Sequence, residues 1–214
     1  KRVEREPDAA PAVRPFTPRQ DSRFDIYRPD GQVRAVDLLG DLAVVAAGSD
    51  GLQVVQLRPE VALLHRYPTE GFAMQVNVVG DRVFVAEERG GLSIWRASPS
   101  GELALAGRYQ PPGRLVRDVA VPAPGKYALL QLDLSRLDVV DVSNPAEPKS
   151  VFTDTGHGFL YDMPDELLDG RLACVLWQLD GVHWYDLYGG PTPTSSGKYE
   201  HRLGSDGLAV LGGK

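Results

Sequence analysis

From about residue 32 onward the chain is a succession of short apolar runs, each roughly four to six residues long and closed by Gly, Asp, Asn or Pro. Runs of that length with those closures predict strands. The spacing of an amphipathic helix is nearly absent, and only residues 164–168 suggest a single helical turn. The clearest run is Gly51-Leu52-Gln53-Val54-Val55. It is matched by Gly91-Leu92-Ser93-Ile94-Trp95, Arg136-Leu137-Asp138-Val139-Val140 and Gly181-Val182-His183-Trp184-Tyr185. Another apolar run precedes each, at 42–46, 83–86, 127–130 and 172–176. Between them, Asp50-Gly51, Gly90-Gly91 and Asp180-Gly181 are pairs that tight hairpins favour, because the turn demands positive φ. The two runs are therefore expected to pair antiparallel.

Two further strands flank each hairpin, predicted at 35–39, 75–79, 118–121 and 161–163 before it and at 61–67, 103–109, 149–152 and 198–202 after it. A unit of four strands thus recurs at intervals of about 40–45 residues, the period of a propeller blade. Several strands are apolar at consecutive positions rather than alternating, so both faces of each sheet must be covered. Radially stacked blades supply that cover. The expected fold class is all-β, a β-propeller of four-stranded antiparallel blades, with Trp95, Trp177 and Trp184 in the core between blades.

The ends of the repeat carry a further expectation. Tyr27 and Gly31 stand one unit before Tyr67 and Gly71, so residues 24–27 read as an outer strand without a blade of its own. Residues 207–211 read as an innermost strand, after which the given sequence stops. We expect four full blades plus partial strands of another: an incomplete ring, to be completed by the remainder of the propeller or by another subunit. Pro7, Pro11, Pro15 and Pro18 and a dearth of large apolar side chains predict a flexible leader over residues 1–22, with propeller repeats over 23–214.

Composition narrows the partners. Hydrophobic residues make up 43% of the 214, enough for a sizeable core, and the formal net charge is −6. That balance argues against nucleic acid as partner. No apolar run is long enough to span a bilayer. The single cysteine, Cys174, excludes an intrachain disulfide and a cysteine zinc cage, and its apolar neighbours predict a buried small hydrophobe.

Chemistry is sparse. Propeller ligands sit at an end of the axial channel, and superposing the inner strands puts Gln75, Asp118 and Asp162 at one repeated position. Asp118 and Asp162 could converge as a cation or sugar site; the commoner use of such residues is to accept backbone amides at strand entry. His157, between Gly156 and Gly158, is the histidine best placed for a channel mouth, although a glycine-flanked histidine is more often a solvent-facing turn residue. His65 and His201 fall on outer strands and His183 on a third strand, and no paired-histidine metal spacing occurs. There is no GxSxG elbow, and Asp165, Glu166 and Asp169 read as a solvated charge run. No cofactor or metal is expected.

The run Leu137-Asp138-Val139-Val140-Asp141-Val142-Ser143-Asn144-Pro145-Ala146-Glu147-Pro148 resembles the hallmark of LVIVD-repeat proteins, bacterial and archaeal β-propellers. Residues 46–55 resemble the hairpin that precedes that hallmark, and the likeness extends over residues 32–214. The second and fourth units depart from it, with Ile94-Trp95 and Trp184-Tyr185 at the core positions. The resemblance implies an exported or surface-associated protein, in the periplasm or at the cell surface. Together with the absence of a catalytic constellation, it leads us to expect a non-enzymatic scaffold for a protein or glycan partner. The alternative is a lyase or hydrolase acting on a carbohydrate or small molecule in the axial channel.

Overall fold

The computed structural model describes residues 27–28, 31–155, 157–163, 167 and 169–199. The predicted leader, most of the partial strands at either end and the suggested helical turn lie outside the described residues. Within them are four antiparallel four-stranded sheets, each a meander in chain order, and no helix. The first blade holds β1 (Ala35–Leu39), β2 (Leu42–Ala46), β3 (Leu52–Gln56) and β4 (Ala62–Tyr67). The second holds β5 (Gln75–Val79), β6 (Arg82–Ala86), β7 (Leu92–Ala97) and β8 (Leu103–Tyr109). The third holds β9 (Val116–Ala120), β10 (Tyr127–Leu132), β11 (Arg136–Asp141) and β12 (Lys149–Thr155), and the fourth β13 (Leu160–Asp162), β14 (Leu172–Trp177), β15 (Gly181–Asp186) and β16 (Thr194–Tyr199). The expected propeller blades are present. The four do not close a ring.

Blades meet through apolar seams. Val44, Leu52 and Val54 of the first blade pack on Val76, Val83 and Val85 of the second, while Phe84 and Ile94 pack on Val119, Leu130 and Val140 of the third. Leu129, Leu137 and Val139 in turn pack on Ala173, Val175 and Tyr185 of the fourth. Strand β11 shows why consecutive positions are apolar: Leu137 and Val139 face one neighbour, Val140 and, just past the strand, Val142 the other. Where no described sheet covers the outer face, alternation returns, and on β15 Val182, Trp184 and Asp186 are only half-buried. Trp95 and Trp177 are core as expected; Trp184 is not.

Backbone hydrogen bonds staple the first seams. Gly48 and Ala73 exchange N–H···O bonds of 3.2 and 3.0 Å, and Glu88 and Val116 bonds of 2.9 and 3.0 Å. Gly48 and Glu88 both sit at positive φ, which turns their amides toward the next blade. The hairpin loops of the first two blades are accordingly wider than two-residue turns, with Ala46 paired to Leu52 and Ala86 to Leu92. Gly51 does adopt positive φ, 70°, and a Cβ there would stand 2.3 Å from the Tyr67 carbonyl oxygen.

A bulge recurs where the third strand meets the outer strand in every blade, between Val54 and Val55, Ile94 and Trp95, Val139 and Val140, and Trp184 and Tyr185. An extra outer-strand residue at the same level bends each outer edge alike. In the fourth blade this extends the pairing back to Thr194, earlier than the predicted start at 198. Thr194-Ser195-Ser196-Gly197 has no apolar pattern to announce it.

Candidate functional site

The inner strands pack side by side, β1 against β5 and β5 against β9, so their polar residues are the ones available to an axial ligand. Most turn to backbone. Gln75 Oε1 accepts the Val76 N–H at 3.1 Å and Asp118 Oδ1 accepts the Val119 N–H at 2.7 Å. The side chain of Asp162 lies outside the described residues. Two positions further along the strand a second set does something else. Asp37 Oδ2 accepts the Val78 N–H at 2.6 Å, and Asn77 Oδ1 accepts the Val121 N–H at 2.9 Å. From the second strand β10, Gln131 Nε2 likewise donates to the Leu160 carbonyl at 2.6 Å. These side chains stitch each blade to the next. Their signal in the sequence is a lone polar residue inside an inner apolar run, as in Val36-Asp37-Leu38 and Val76-Asn77-Val78.

A second repeated polar position lies on the third strands. Gln53, Ser93, Asp138 and His183 are all buried, although all four carry strong donors or acceptors. The first three find hydrogen-bond partners. The Tyr27 hydroxyl donates to Gln53 Oε1 at 2.5 Å, and the Tyr109 hydroxyl donates to Asp138 Oδ2 at 2.7 Å. The Ser93 hydroxyl donates to Glu87, a fully buried carboxylate that also takes the Arg108 guanidinium at 2.8 Å. Burial pushes the Asp138 carboxyl above the usual range even with hydrogen bonds from Ser150 and Tyr109 pulling it down.

The tyrosines belong to a series. Tyr67 pairs with Leu52 and Tyr109 with Leu92 at the ends of their outer strands; the same place opposite Leu137 is held by Asp154. At the third seam, therefore, an aspartate replaces the tyrosine and a histidine, His183, occupies the buried third-strand position. The loop leading to β13 adds His157. Its Nδ1 lies 2.7 Å from Asp180 Oδ2 and its Nε2 lies 3.0 Å from Asp154 Oδ1. The two imidazole rings are 4.3 Å apart, and Trp177 closes over His157 at 5.2 Å. The Tyr185 hydroxyl donates to Asp154 Oδ2 at 2.8 Å and accepts from Trp177 Nε1 at 3.0 Å.

Electrostatics follow from burial. Desolvation, helped by the neighbouring His157, holds His183 below its ordinary pKa. Burial and the bond to Asp154 raise the Tyr185 phenol well above its ordinary pKa. Burial likewise raises the Cys174 thiol, in keeping with an inert core cysteine. His157 takes its partners from the outer strand β12 and from the β14–β15 turn, away from the inner strands that carry Gln75 and Asp118. His183, less promising in the sequence because it falls on a third strand, is its nearest aromatic neighbour. Asp154, His157 and His183 each offer a ligand atom within 4.8 Å of the others.

Residues 70–110 and 113–154 both match the family described as the LVIVD repeat. The match takes in the second unit, despite Ile94-Trp95 at its core positions, as well as the third. No curated protein sequence matches the chain. Among solved structures, this chain is similar to a protein from Lactobacillus plantarum, with a TM-score of 0.63 and 15% identity over 83% of this chain and 58% of that one. A Bacteroides fragilis protein provisionally called a 6-phosphogluconolactonase gives a TM-score of 0.60 and 12% identity, covering 78% of this chain and 56% of that one. The β-propeller domain of Cps50 (Swd1) from Myceliophteria thermophila gives 0.55 and 10%, covering 73% and 52%. At such identities the likeness is one of fold. This chain spans little more than half the length of each.

Proposed function

We propose that this chain is a non-catalytic β-propeller scaffold, exported or surface-associated, that presents a loop face to a protein or glycan partner. The observation that carries the reading is the use made of the inner-strand polar groups. Asp37 and Asn77 bond the next blade, as Gln131 does from β10, and Gln75 and Asp118 accept the amides that follow them. An active site needs such groups aimed at a shared point; here they hold the scaffold together. The exported placement rests on the family resemblance alone.

A binding surface is available elsewhere. The turns joining β1 to β2, β5 to β6 and β7 to β8 border an open groove of about 620 Å³, lined by Asp41, Asp81, Ser98 and Pro99 with apolar Leu39 and Leu42. Mixed polar and apolar lining in an open groove suits an extended partner segment or a glycan better than an enclosed small substrate. Affinity capture from envelope extracts and binding to a glycan panel should both be compared between the native chain and a D41R/D81R variant. A partner retained only by the native chain supports the reading. Turnover of a lactone or glycoside that disappears in D118N would replace it with the enzymatic alternative, for which the fold shared with the Bacteroides fragilis protein provides a first substrate class to try.

A further inference from the structure

We propose that Asp154, His157 and His183 form a binding site for a divalent transition-metal ion of the zinc type, clamping the third blade to the fourth. The starting point is the break in the repeat. Tyr67 and Tyr109 end the first two outer strands, and Gln53, Ser93 and Asp138 fill the buried third-strand position of the first three blades. The third seam has no tyrosine there. It sets a carboxylate against a buried imidazole and brings a second imidazole in from the loop, so three metal-ligating side chains converge at one seam.

The geometry fits an ion. With bonds of about 2.0–2.2 Å, two ligand atoms on a tetrahedral zinc stand roughly 3.3 Å apart. Asp154 Oδ1 and His157 Nε2 are 3.0 Å apart, and all three ligand atoms fall within 4.8 Å of one another.

One of the three residues also carries an orphaned atom. His183 is 3% exposed, and its Nε2 has no hydrogen-bond partner. Asp180 Oδ2 is 3.2 Å away, within ion-pair distance but not aligned for a hydrogen bond. A buried ring nitrogen left in this condition destabilises the fold, and an ion on its lone pair removes the penalty. The surroundings match an outer ligand shell. Asp180 Oδ2 can accept the His157 Nδ1 proton at 2.7 Å, which orients Nε2 toward the site. The Tyr185 hydroxyl occupies Asp154 Oδ2, while Oδ1 accepts the Thr155 N–H at 2.8 Å and keeps a second lone pair for the ion. Two imidazoles with one carboxylate favour Zn²⁺ and its first-row neighbours over Ca²⁺ and Mg²⁺, which prefer all-oxygen shells. The competing arrangement is an imidazole bridging two carboxylates with no ion.

The test titrates the chelator-treated full chain with Zn²⁺ by calorimetry, and with Co²⁺ by absorption spectroscopy. One ion per chain is expected, with visible Co²⁺ ligand-field bands, a raised melting temperature and no comparable response to Mg²⁺ or Ca²⁺. D154N and H157Q should each weaken Zn²⁺ binding at least 100-fold, D180N about tenfold, and H65Q, on an outer strand, not at all. Because His183 is buried, H183Q is scored only if its far-UV circular dichroism matches the native chain; the Co²⁺ spectrum of the native chain needs no variant. Absence of saturable one-to-one binding at micromolar Zn²⁺ overturns the proposal, as does binding that survives in both D154N and H157Q. Neither result bears on the loop-face partner.

Discussion

Replacing Tyr109 by Phe isolates one of the polar links between blades. The change removes a hydroxyl and leaves the ring to fill its place at the second seam. What disappears is a 2.7 Å hydrogen bond to the carboxylate of Asp138, a residue only 2% exposed. Asp138 keeps Ser150, whose hydroxyl lies 2.5 Å from its other oxygen. Hydrogen bonds to charged acceptors contribute about 1.5–3 kcal/mol, so Y109F should cost about 2 kcal/mol at pH 7. The pH dependence has a definite sign. Burial raises the folded pKa of Asp138, so its contribution to stability is full below the unfolded value of about 4 and falls as pH rises through the folded value. Tyr109 is one of the bonds that restrain this rise; without it the folded pKa climbs further. The penalty of Y109F should therefore be larger at pH 7 than at pH 4. Urea unfolding at both pH values, in the native and D138N backgrounds, measures it. In D138N the acceptor is neutral and the cost of Y109F should drop to about 1 kcal/mol. A penalty below about 0.5 kcal/mol at pH 7, or one that is the same at both pH values and in both backgrounds, would refute the link.

Two other substitutions probe different physics. R108A strips the guanidinium from the fully buried Glu87 and should destabilise by about 3–5 kcal/mol, a cost that E87Q should largely relieve in the double variant; equal losses in both backgrounds would count against it. D133N removes the ion pair with Arg114 at 2.8 Å, and Asn tolerates the φ of 55° at this turn. The Arg114 hydrogen bond holds Asp133 below the ordinary carboxylate range. Its stability is thus present above about pH 4 and is lost as pH falls through the folded value. Because the pair is partly exposed, the effect should stay below about 1 kcal/mol, shrink in high salt and vanish in acid; thermal melts across pH and salt would show it.

The order of strands, their grouping into fours and the covering of both sheet faces were readable along the chain, because each depends on which neighbouring residues are apolar. Leu52, Leu92, Leu137 and Val182 mark the same place in four blades without any knowledge of contacts. The burial of Cys174 was readable for the same reason. The start of β16 was not, since Thr194-Ser195-Ser196-Gly197 is held by pairing and not by an apolar pattern. The meeting of Asp154, His157 and His183 was hidden more deeply. Asp154 takes a tyrosine's place only once the outer strand is paired through its bulge, and His183 faces it only once one blade is laid on the next. Apolar periodicity is a property of the local chain, whereas polar partnership between blades depends on register and stacking angle, which exist only after the sheets have packed.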